Sequence, residues 1–138
     1  MIIGKGPPWG GTDAAGYVPE AIRAPEPVKV EGRVPADAAT RKNIQLATGL
    51  LDYFPDALMA VAELSRIGNE QHNPGQPLHW ARAKSPDFPD TIMRHLIDRG
   101  TVDTDGVRHS TKTAWRALAL LQTELEEANN LPISRGSK

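Results

Sequence analysis

The sequence predicts an all-α fold: a four-helix bundle with an extended N-terminal arm. From Ala36 onward apolar residues recur at helical spacing, and no stretch alternates with the period of two that a half-buried strand needs. The interruptions between the periodic stretches carry Pro, Gly, Asn and Asp, the residues that end helices and build turns. The chain has 138 residues, enough for one small domain, and its apolar residues concentrate between Ala47 and Leu125.

Each element has its own signal. Residues 1–33 carry Gly-Pro-Pro-Trp-Gly-Gly and then Pro19, Pro25 and Pro27, so they read as an extended arm that Trp9 and Tyr17 could anchor, or as a mobile tail. The helical domain spans 34–130, and 131–138 is a tail whose last residues, from Ser134, should fray. A first helix is expected over about 36–51. A second starts at Pro55, a residue suited to a first helical turn, and runs to about Glu70 with Ala57, Val61, Leu64 and Ile67 on one face. A loop rich in Asn, Pro, Gly and His follows. A third helix is expected over about 87–99, stopped by Gly100, and a fourth from about Val107 to Ala128. The apolar run AWRALALLQTEL places this last helix at the centre of the fold.

Composition excludes several classes. Net charge is −1, so the basic footprint of a nucleic-acid binder is absent. There are no cysteines, which rules out disulfides and thiolate metal sites. No run approaches the ~18 apolar residues of a membrane span, and the N-terminus lacks a signal-peptide core, so a soluble cytoplasmic protein is expected.

The acids carry the chemistry. Asp87 and Asp90 open the third helix as an N-cap and its partner three residues on, with Pro89 between them. Asp87, Asp90, Arg94 and Asp98 then form one stripe, opposite Ile92, Met93, Leu96 and Ile97. On the second helix Glu63 and Glu70 share a side, with Arg66 between them. Such stripes are ordinarily solvated faces. If the two face each other, converging carboxylates need a divalent cation among them, and hard oxygen ligands suit Mg²⁺ or Mn²⁺ with a phosphate substrate. Arg82 and Lys84 precede the third helix and could balance phosphate charge; Trp80 could stack on a base or pack in the core. A calcium-loop reading of Asp103, Asp105 and Gly106 fails, because Lys112 falls where a bidentate Glu is required. His72, His79, His95 and His109 match no zinc spacing, so burial or phosphate contact is their expected role.

Several segments together carry a family likeness: AELSRIGNEQHNPGQPLHW, then DTIMRHL, then DTDGVRHSTKTAWRALALL. Over about Thr48–Leu125 the chain resembles the phage and bacterial dATP/dGTP diphosphohydrolases. Within them it looks like the MazZ-type enzymes of phages that replace adenine with 2-aminoadenine, similar to the MazG-like all-α NTP pyrophosphatases. The matching positions are Glu63 and Gly68, Trp80, the Asp-x-x-x-Arg-His of Asp90, Arg94 and His95, and the acidic turn Asp103, Asp105, Gly106 leading to His109. The resemblance implies hydrolysis of a purine deoxynucleoside triphosphate, (d)GTP by preference, to the monophosphate and pyrophosphate, in a dimer or tetramer. It implies Mg²⁺ or Mn²⁺ held by Glu63, Glu70, Asp87 and Asp90, with Glu63 and Asp90 central to catalysis. The superfamily's Glu-x-x-Glu is broken here, since position 60 is Ala and position 66 is Arg. Lys84, Arg82, Arg94, Trp80, Asn69 and His95 are the expected substrate contacts. A dATP-preferring enzyme and a non-enzymatic helical assembly module are the alternatives.

Overall fold

The computed structural model describes residues 32–138, so the arm with Trp9 and Tyr17 lies outside the described residues except for its last two. The regular structure of the described residues is helical, with four α-helices and no strand. The helices are α1 Ala38–Asn43, α2 Pro55–His72, α3 Phe88–Ile97 and α4 His109–Ala128. The backbone divides into two units, the break falling after Ile44.

In the first unit the expected helix 36–51 is cut short. Asp37 caps α1, its carboxylate accepting from the Thr40 backbone N–H at 2.7 Å. The helix stops at Ile44, where ψ swings to 87°. None of its residues is buried, so a six-residue segment has no packed face to hold it longer. The remainder of the expected helix, Ala47–Leu51, forms a separate π-helical turn in the second unit.

In the second unit α4 packs against both α2 and α3, as its apolar run predicts. Pro55 occupies the first turn of α2, where its missing N–H costs nothing. Leu58, Val61, Leu64 and Ile67 are half-buried along that helix, whereas Ala57 is exposed. The Trp115 indole N–H donates to Ser65 Oγ at 2.8 Å and ties α4 to α2. Gly100, with φ +85°, ends the turn after α3, a backbone position that a β-carbon would strain. The centre is aromatic: Trp80 lies 5.7 Å from Trp115 and 6.2 Å from Phe88, ring centre to ring centre. Phe88 and Ala119 are the buried apolar residues.

The tail does not fray. The Trp80 N–H donates to the Gly136 carbonyl at 2.8 Å, and Lys138 returns a bond to the Trp80 carbonyl at 3.0 Å. Arg82 anchors it further, donating to Ser137 Oγ at 2.8 Å and Ser134 Oγ at 3.1 Å and pairing with the buried Glu126 at 2.7 Å. A charged side chain fixed in this way holds the segment where composition alone predicts mobility.

Large apolar side chains remain exposed outside this centre. They include Leu50, Leu51, Tyr53, Phe54 and Met59 before and along α2, Met93 and Ile97 on α3, and Leu118 and Leu121 on α4. No helix among the described residues is long and apolar enough to cross a membrane.

Candidate functional site

A cleft of about 230 Å³ opens between the C-terminal half of α2, the loop 73–87 and the N-terminal half of α4. Asn69, Trp80, Lys84 and His95, four of the expected substrate contacts, line it. Asn69 is held by the loop, donating to the Gln76 carbonyl at 3.0 Å. Lys84 donates to the His72 carbonyl at the C-terminal end of α2, where a cation suits the helix dipole. Arg116, from α4, donates to the Ser85 carbonyl at 2.9 Å. Burial pulls its guanidinium below the usual arginine value. Neither Lys84 nor Arg116 forms an ion pair among the described residues; both bond backbone carbonyls, and both line the cleft.

One wall of the cleft is built by a tight turn. The Asp103 N–H bonds the Val107 carbonyl at 2.8 Å, Gly106 takes φ +82°, and the turn delivers His109 to the first turn of α4. There His109 Nδ1 lies 3.0 Å from His95 Nδ1 on α3. His95, Asp103 and His109 are the described residues that could hold a metal ion, with one donor atom from each lying within 4.8 Å of the others. The 3.0 Å separation of the two nitrogens is a ring-to-ring hydrogen bond, one nitrogen donating and the other accepting according to the tautomers, and it leaves both nitrogens close enough to reach one ion. Burial first, and then the Lys112 charge, hold His95 below the usual histidine range, which favours the neutral form a metal requires. The Lys112 ammonium, hydrogen-bonded to Asp103, holds that carboxyl down to about 2.

The other sequence-predicted residues sit elsewhere. Arg66 donates to both Glu63 oxygens at 3.0 Å and reaches Glu70 at 2.6 Å, and hydrogen bonding to Arg66 lowers the Glu63 carboxyl from its usual value. At about 100° per residue these two acids lie on the side of α2 away from Ser65 and Gly68, which line the cleft. Asp87 does occupy the N-cap position of α3, but its side chain makes no cap bond; it pairs with Arg94 at 2.8 Å instead. Asp90 and Asp98 are exposed. Within this subunit Glu63, Glu70, Asp87 and Asp90 do not form a metal-sized group. Arg82 is committed to Glu126 and lies over the Trp80 ring at 4.2 Å. Lys112, Arg116 and the pairing of the two histidines escaped the sequence reading. The ordered motif of Asp90, Arg94 and His95 followed by Asp103 and His109 was the signal that pointed nearest to them.

The family model "dATP/dGTP diphosphohydrolase, N-terminal" matches residues 35–130. The chain belongs to this family. Membership indicates dATP/dGTP diphosphohydrolase activity, with a nucleoside triphosphate as substrate. The diphosphohydrolase match covers α1 to α4, and with them the cleft, the two cations and the histidine pair. No curated protein and no solved structure matches the chain.

Proposed function

We propose that the chain is a purine deoxynucleoside triphosphate pyrophosphohydrolase that prefers dGTP over dATP and works in the cleft beside His95 and His109. The observation that carries this reading is the pair Lys84 and Arg116, neither ion-paired among the described residues, lining one cleft with His95, which belongs to the His95, Asp103 and His109 group beside it. Water attacks the α-phosphorus, the bond to the bridging oxygen breaks, and dGMP and pyrophosphate leave. Lys84 and Arg116 take the negative charge of the triphosphate, which a fixed cation does best where solvent is partly excluded. Asn69 and the edge-to-face pair Trp80 and Trp115 offer the base a hydrogen-bonding group and aromatic contact. A divalent cation, Mn²⁺ or Mg²⁺, held by His95, Asp103 and His109 would supply charge neutralisation and acidify a water.

The donor set of His95, Asp103 and His109 suits Mn²⁺ better than Mg²⁺, which favours oxygen ligands. Glu63 and Glu70, with Asp87 and Asp90, form a second candidate set. Its support is limited to Glu63 and Glu70, which converge on one positive group, Arg66; within one subunit the four acids do not gather, so this set would need a second subunit. The cleft is smaller than the ~300–1,000 Å³ of ordinary ligand pockets, so a nucleotide extends past it. The exposed apolar residues of α2, α3 and α4 support a homo-oligomer, dimer or tetramer, whose second subunit would cover the rest. The resemblance to the MazZ-type enzymes adds a setting: dGMP feeding 2-aminoadenine nucleotide synthesis in the host cytoplasm of a phage.

Purified protein with Mn²⁺ and an equimolar mixture of dGTP and dATP should release dGMP and pyrophosphate in a 1:1 ratio, faster than dAMP. Release of orthophosphate, or no turnover of either nucleotide, would overturn the reaction; faster dAMP release would overturn the preference.

A further inference from the structure

We infer that Lys112 stands in for a second divalent cation, so that the site beside His95 and His109 takes one metal ion and not two. This rests on the proposed metal reading of that site. His109 and Lys112 are three residues apart on α4 and present their side chains from the same side of the helix. The Lys112 ammonium reaches Asp103 Oδ2 at 2.7 Å and Asp105 Oδ2 at 2.6 Å. Its side chain is only 15% exposed, and the two carboxylates are 27% and 24% exposed. Asp103 thus belongs to both neighbourhoods, with a carboxylate oxygen close to the histidine nitrogens and Oδ2 bonded to Lys112.

Two carboxylates this close, with a histidine pair next to one of them, are a ready second cation site. Two-metal hydrolases place their ions about 3.5–4 Å apart on shared carboxylates. Here an ammonium bridges the two carboxylates instead. It neutralises one of the two negative charges permanently and needs no ion from solution. Lys112 is therefore a positioning residue that sets how many ions the site can hold. The backbone already fixes the turn without it, through the Asp103–Val107 and Gly106–Asp103 bonds.

Titration of the full chain with Mn²⁺ alone, counting bound ions from the loss of free-Mn²⁺ resonance signal, tests the inference. Lys112→Ala should bind one more ion per chain than the wild type. Lys112→Arg, which keeps the charge, should bind the same number as the wild type. Melting curves of both variants show that they are folded. An unchanged ion count in a folded Lys112→Ala overturns the role of Lys112, as does an extra ion in Lys112→Arg. Failure of the metal reading itself looks different: the His95→Ala and His109→Ala variants would then bind as many ions as the wild type.

Discussion

Replacing Arg82 with Met should destabilise the second unit by about 3 kcal/mol. Arg82 and Glu126 make two contacts, at 2.7 and 3.0 Å, and their side chains are 19% and 6% exposed. Removing one partner of a buried pair typically costs about 3–5 kcal/mol, because the other charge stays buried with less compensation. The exposure of Arg82 puts the expected cost at the lower end. Gln122 Nε2 still donates to Glu126 at 2.7 Å and softens the loss, while the bonds to Ser134 and Ser137 disappear and add to it. For a unit of this size each kcal/mol lowers the melting temperature by about 4 °C or somewhat more, so a fall of about 12 °C is expected. Far-UV circular dichroism melts measure it. Arg82→Met combined with Glu126→Leu removes both charges and should return most of the loss. A fall of less than about 3 °C in Arg82→Met would refute the reasoning, showing that the pair is solvated and the tail undocked.

Three further outcomes are expected. Trp115→Phe and Ser65→Ala each remove the 2.8 Å bond between α4 and α2 and should cost about 1 kcal/mol in urea titrations, with the double variant costing little more than either; full additivity would contradict the bond. His95 is held below its usual value of 6.5, so the unfolded chain takes up its proton first as pH falls. Stability from this residue is complete above about pH 6.5 and is lost on acidification below it; melting temperatures between pH 7.5 and 5 should fall for the wild type and fall less for His95→Gln. Arg66→Ala breaks pairs whose side chains are half or more exposed, so it should change stability by no more than about 0.5–1 kcal/mol; a larger loss would mean the carboxylates are more buried than their exposure indicates.

Much of the fold was legible because local signals and packing agree. Pro55 and Gly100 mark helix boundaries that the structure keeps within a few residues, and the apolar run of α4 does lie against both neighbours. The first helix was misjudged in length because periodicity continues past Ile44 while nothing buries the face it defines. The tail was misjudged because one ion pair, Arg82 with Glu126, spans 44 residues and leaves no local trace. The site was legible only in part. Lys84, Trp80, Asn69 and His95 were singled out and do share a cleft. The histidine pair depends on a turn that folds α4 back beside α3, and two histidines 14 residues apart show nothing of that in a linear pattern. The acid stripe of α2 was readable, but which way it faces is set by the rotation of the helix against α4, a tertiary choice.

The central claim is that turnover takes place beside His95 and His109. The most direct measurement compares steady-state dGTP hydrolysis by His95→Ala and His109→Ala with that by Glu63→Gln and Glu70→Gln, all at saturating Mn²⁺ and with melting curves for each. Loss of even an outer partner of a metal ligand costs roughly 10–100-fold, so each histidine variant should lose about 10²-fold or more in kcat/KM while remaining folded. The two glutamate variants should lose less. Histidine variants with wild-type turnover, alongside glutamate variants with none, would contradict the claim and move the reaction to the carboxylates of α2.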